Sequence, residues 1–226
     1  MCVDSEQSNT ENDSQQNLHN NLNHRSIDDI KALLTVVFGL GLVESVKSLI
    51  TNENNLLVIN LSLIPIFVAF LATLLPFYQG NCKYMDTIYL QKNLKALDGI
   101  MDTFVFIAQG IIFYVMAIAM KQPKFFFLAA IVLYISDIIW LGFVSKSNSE
   151  LFPKLKNWLI INIFTLFILL ILYYTPLLLN DYSKWWIISL VMLARTGADY
   201  IWTWSFYWCK SNLKKIIKQS GRDLTN

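Results

Sequence analysis

The sequence predicts an all-α, polytopic membrane fold: a bundle of about six transmembrane helices with both termini cytoplasmic. Three observations predict it. The 226 residues are 55% hydrophobic and 15% charged, with a mean hydropathy of +0.45. A soluble domain usually carries about 25% charged residues to cover its core. Apolar runs of about 20 residues, the length a helix needs to cross a hydrocarbon slab of about 30 Å, recur along the chain. Lys and Arg are also distributed unevenly between the connections that join those runs.

Residues 1–28 are rich in Asn, Gln, Ser, Asp and Glu. A segment of that kind buries too little apolar surface to offset its ordering entropy, so a disordered tail is expected. No cleavable signal peptide is expected, because the first apolar run lies behind this tail. The spans are expected at about 30–50, 56–78, 100–120, 125–144, 158–179 and 185–208, followed by a basic cytoplasmic tail over 209–226. The first span is the least regular. Its uninterrupted apolar part is short, and Glu44 and Lys47 occupy its outer half. Three apart, they can pair locally, and Lys47 can reach the outer surface. The alternative leaves this segment lying at the interface.

The second span contains Pro65 and Pro76. Proline frees the carbonyl four residues earlier, here Leu61 and Ala72, so a kink near Pro65 and an end near Pro76 are expected. Residues 79–100 read as the longest polar connection, with Leu90, Leu94, Leu97 and Met101 at helical spacing leading into the third span.

Charge placement sets the orientation. With the N-terminus inside, thirteen of the eighteen Lys and Arg fall on the cytoplasmic side and four outside, with Arg195 within a span. An even number of spans then puts both tails on one side. Trp185 and Trp186 fit an outer aromatic belt, and Trp140, Trp158, Trp204 and Trp208 an inner one.

Ionisable groups within the spans are the most informative residues. A central Asp or Arg costs about 2.5–3.5 kcal/mol on insertion scales. Glu44, Asp137, Arg195 and Asp199 would together cost on the order of 10 kcal/mol if unpaired. They must be paired, neutralised or hydrated. Counting from the helix ends places Gln109, Asp137, Arg195 and Asp199 in one layer, as an ion or solute pathway or as a structural ion pair. One arginine cannot fully compensate two ionised aspartates. The surplus acid suits a proton or cation site. Asp98 and Asp102, four apart, fall at the inner mouth of the third span, where they would be solvated or attract cations. Asp137-Ile138-Ile139-Trp140 echoes Asp199-Tyr200-Ile201-Trp202. Ala194, Gly197 and Ala198 suggest that the sixth helix is the centre of the bundle, since small residues let membrane helices approach closely.

The pattern argues against an enzyme. Both histidines, His19 and His24, lie in the polar tail, and no HExxH, CxxC, GxSxG or glycine-rich phosphate loop occurs. No cofactor, no metal site and no nucleic-acid partner is expected. The filter sequence TVGYG is absent as well. The expectation is therefore a channel or transporter-like protein moving an ion, proton or small polar solute, surrounded by membrane lipids and able to form a homo-oligomer. The alternative is a membrane anchor or adaptor that recruits a cytosolic protein partner through residues 79–100 and the tails.

Overall fold

The computed structural model describes residues 4–53, 56–89, 96–147, 152–175 and 181–203. Six α-helices lie among them: α1 (Asp4–Leu49), α2 (Ile64–Tyr89), α3 (Ala96–Ile118), α4 (Pro123–Ser147), α5 (Phe152–Tyr174) and α6 (Asp181–Trp202). Among the described residues five stretches are long and apolar enough to cross a membrane: Ile27–Leu49, Leu61–Thr87, Met101–Lys121, Pro123–Ser145 and Leu155–Tyr174. This is a multi-span helical membrane protein. α6, which carries Arg195 and Asp199, is not one of the five.

The helices close into a ring. α1 packs on α2 and α3, α3 on α4, α4 on α5, α5 on α6, and α6 on α2. Side chains exposed on the outside are large and apolar, among them Phe104, Ile111, Phe143, Phe164, Phe167, Leu190 and Ile201. That is the surface a helix bundle presents to hydrocarbon. The centre of the ring is filled. Phe77 of α2 reaches Phe113 of α3, Tyr134 of α4 and Trp158 of α5, with ring centroids at 5.6, 5.7 and 6.3 Å. These tilted, edge-to-face contacts suit aromatic quadrupoles. The expectation of α6 at the centre is therefore corrected. Gly197 has no atom within 4 Å of where a Cβ would stand, and Ala194 faces outward.

Several boundaries differ from expectation for physical reasons. The polar N-terminal segment expected to be disordered continues α1 back to Asp4. Extending an existing helix avoids the cost of nucleation, so a polar segment can be helical without a buried face. Residue 50, expected to end the first span, and residues 56–59, expected to open the second, lie in two paired antiparallel strands, β1 (Ile50–Glu53) and β2 (Leu56–Ile59), with Ile50 opposite Ile59. Val58 and Ile59 suit a strand, and Asn60 then caps a single 3-10 turn by accepting from the Ser62 N–H at 3.1 Å.

Pro65 produces no kink, because it is the second residue of α2, where a missing N–H costs nothing. Pro76 does not end α2 either. The helix runs through it to Tyr89, and the Ala72 carbonyl freed by the proline accepts a hydrogen bond from the Thr196 hydroxyl of α6. Residues 79–89 are consequently helix and not a polar connection. Phe77, Asn81 and Tyr84 continue one buried stripe, while Gln79 and Lys83 fall off it. Residues 90–95, the last residues of the sixth expected span and the basic tail lie outside the described residues.

Small residues set two close approaches. A Cβ on Gly110 of α3 would lie 2.4 Å from Val37 Cγ1 of α1, and one on Gly80 of α2 would lie 2.4 Å from Trp158 Cη2 of α5. Overpacking of that kind costs about 1–3 kcal/mol. Gly80→Ala is therefore expected to lower the denaturation midpoint in detergent, by a loss in that range. Gly142→Ala, where a Cβ meets nothing within 4 Å, should change stability by less than about 0.5 kcal/mol. Equal midpoints for the two variants would contradict the Gly80–Trp158 contact.

Candidate functional site

Five helices place polar side chains on their buried stripes, one each from α2 to α5 and two from α6. Asn81 follows Phe77 by four residues on α2. Gln109 lies between Phe106 and Phe113 on α3, Asp137 between Tyr134 and Trp140 on α4, and Asn162 between Trp158 and Thr165 on α5. Arg195 and Asp199 are one turn apart on α6 behind Met192. Neighbours three and four apart share a helix face, so the apolar and aromatic residues that drive packing also carry the polar ones inward. Asn81, Gln109, Asp137, Asn162 and Asp199 are fully buried, and Arg195 nearly so.

The side chains form one chain of hydrogen bonds continued by an ion pair. Asn81 Nδ2 donates to Gln109 Oε1 at 3.0 Å, and Gln109 Nε2 donates to Asp137 Oδ1 at 2.9 Å. The other Asp137 oxygen accepts from Asn162 Nδ2. Arg195 Nη2 donates to Asn162 Oδ1 at 3.0 Å, while Arg195 Nη1 stands 3.3 Å from Asp199 Oδ2. The Thr203 hydroxyl closes the chain on Asp199 Oδ1 at 2.9 Å. The Arg195 guanidinium also lies over two aromatic faces, 5.2 Å from the Phe77 centroid and 5.8 Å from that of Tyr134. Cation–π contact of this kind is stronger in a desolvated site than in an exposed one.

No family model, no curated protein and no solved structure matches this chain. What the layer can do must therefore be read from its own chemistry. It holds two carboxylates and one guanidinium with neutral amides between them, enclosed by rings. It can store charge and exchange hydrogen bonds. Among the described residues no group of three or more His, Cys, Asp and Glu is placed to hold a metal ion.

A third buried acid lies two helical turns from Gln109 along α3. Asp102 was expected to be solvated at the helix mouth, but it is 7% exposed. The Tyr84 hydroxyl donates to its Oδ2 at 3.1 Å and Trp140 Nε1 to its Oδ1 at 2.9 Å. Tyr84 and Phe106 close around Trp140, with centroids 4.8 and 5.2 Å from its own. Trp140 and Trp158 are thus interior residues and not members of an aromatic belt. Asp98 stands in the first turn of α3, and its side chain lies outside the described residues. Lys47 Nζ and Glu44 Oε2 are 3.5 Å apart at the β1 end of α1, away from the layer.

Gln109, Asp137, Arg195 and Asp199 are brought together by the fold. Asn81, Asn162 and Thr203 were not anticipated from sequence. Asn162 had a signal: it is the lone amide in the run Trp158-Leu159-Ile160-Ile161-Asn162-Ile163-Phe164. Asn81 stood in what read as a polar connection, and no comparable signal separated it from its neighbours. The Asp-Trp echo has no structural counterpart beyond the acids, since Trp140 is buried and Trp202 is 58% exposed.

Proposed function

We propose that this chain is a channel or transporter-like membrane protein that moves an ion, proton or small polar solute through the layer of Gln109, Asp137, Arg195 and Asp199. The observation that carries the reading is the charge balance of that layer. Two buried carboxylates face one buried guanidinium. A purely structural ion pair needs only one of each, and a surplus intramembrane acid is costly unless it is used. Asp102, a further buried acid on the same face of α3, extends the acidic column toward the end of the bundle away from the strand pair. The Lys and Arg distribution supports a placement with both termini cytoplasmic, in a cell or inner membrane.

The full chain reconstituted in liposomes tests this. The parent is expected to conduct. Asp137→Asn should reduce the flux at least about tenfold, which corresponds to about 1.4 kcal/mol on the limiting barrier, while its thermal melt stays cooperative. A parent without flux, or an Asp137→Asn variant that conducts as well as the parent, would favour the rival role. In that role the buried charges only fix helix register, and the chain anchors a cytosolic protein through its tails and the helix ends at 79–100.

A further inference from the structure

We infer that the species handled by the layer is the proton, taken up on Oδ1 of Asp137 and accommodated by reversing the Gln109 and Asn81 amides. This rests on the transport reading of the same layer and names its cargo. Three observations lead to it.

The first is the direct contact between the polar groups of the layer. The polar groups touch one another directly, at 2.9–3.3 Å for the contacts Asn81–Gln109, Gln109–Asp137, Arg195–Asn162 and Arg195–Asp199. Both Asp137 oxygens already accept from amide N–H groups, which repel a cation. Calcium wants six to eight oxygen ligands and magnesium a near-ideal octahedron. A proton needs neither volume nor a shell.

The second is charge. Among the described residues the buried charged side chains are Asp102, Asp137, Arg195 and Asp199. The groups around Asp137 are Gln109 from α3, Tyr134 on its own helix, Asn162 from α5, and Arg195 and Asp199 from α6, with Asn81 of α2 behind Gln109. Asp102 is held apart by Tyr84 and Trp140, so within the layer one proton balances the guanidinium against a single remaining carboxylate.

The third is the asymmetry of the two arms that meet at Asp137. A protonated oxygen becomes a donor, so the amide facing it must present its own oxygen. On the Oδ2 side this is blocked. Asn162 holds its Oδ1 toward Arg195, a permanent donor, and rotation would set N–H against N–H. On the Oδ1 side it is open. Rotation of Gln109 turns Oε1 to the Asp137 hydroxyl and Nε2 to Asn81, and rotation of Asn81 presents Oδ1 in reply. Asn81 Oδ1 is buried with no hydrogen-bond partner among the described residues, so turning this amide breaks only the bond that is being reversed. The chain Asn81→Gln109→Asp137 becomes Asp137→Gln109→Asn81 with the same number of bonds. The proton comes from water and returns to water, and no other bond forms or breaks.

Infrared difference spectra of the full chain in bilayers, taken between mildly alkaline and mildly acidic pH, test the site. A carboxylic-acid carbonyl band should rise on acidification and vanish in Asp137→Asn. Asp137→Glu should keep a titrating band at a shifted frequency, which separates loss of the acid from loss of the fold. Side-chain amide bands should change in step, and that change should disappear in Gln109→Leu. A titrating band that survives Asp137→Asn overturns the assignment. Proteoliposomes carrying a pH dye or a Na+ or K+ dye test the cargo, with at least tenfold loss of proton flux expected in Asp137→Asn. Flux of Na+ or K+ without protons overturns the proton as cargo and leaves the transport reading standing. Absence of flux for protons and cations alike, in a parent that melts cooperatively, overturns both.

Discussion

Arg195→Met is expected to cost about 3–5 kcal/mol, the usual loss when one partner of a buried ion pair is removed. A folded domain has only about 5–15 kcal/mol to lose. The size follows from what the guanidinium touches. Nη1 faces Asp199 at 3.3 Å, Nη2 donates to Asn162 at 3.0 Å, and the plane covers Phe77 and Tyr134. Removing it leaves Asp137 and Asp199 without their shared cation and strips Asn162 of the donor that fixes its amide. Adding Asp199→Asn should recover much of the loss, because a buried pair replaced as a whole is often close to neutral. Chemical unfolding in mixed micelles of the parent, both single variants and the double variant closes the cycle. Additive losses, with no recovery in the double variant, would show that Arg195 and Asp199 do not act as a pair.

How much of this site could be read from the sequence depended on the free-energy cost of each residue. A charge in hydrocarbon is so costly that Asp137, Arg195 and Asp199 announce themselves, and helix counting sets their depth. A neutral amide is far less costly, so Asn81 and Asn162 stand out less although they complete the chain. Azimuth was the harder quantity. α4 is apolar nearly all round its circumference, so the pattern does not say which of its faces meets α3 or α5. That Asp137 faces Gln109 and Asn162 is decided by rings that pack from other helices.

The strand pair is hidden in the sequence for a related reason. Leu56, Leu57, Val58 and Ile59 run toward α2 with only Asn60 and Ser62 as polar breaks, and hydropathy does not distinguish strand from helix over four residues. At Pro76 the freed Ala72 carbonyl was foreseeable, but a helix can cross the defect when a neighbour supplies a donor. Thr196 of α6 does so.

Phe77→Ala is expected to be nearly as damaging as Arg195→Met, at about 3–5 kcal/mol for a buried aromatic cut back to a methyl. Phe77 is fully buried and stands where α3, α4, α5 and α6 meet, so no single neighbour can move in without leaving another. Phe77→Leu should cost less, because most of the volume is kept and only the ring contacts are lost. The functional consequence separates a filled interior from an open one. In the parent the ring of helices holds aromatic side chains at its centre. A void at position 77 beside a guanidinium and two carboxylates is polar enough to hold water. The Phe77→Ala variant should therefore leak K+ in liposomes that the parent keeps tight, while Phe77→Leu stays tight. Equal K+ permeability in all three proteins would show that the centre of the ring is not what bars the path.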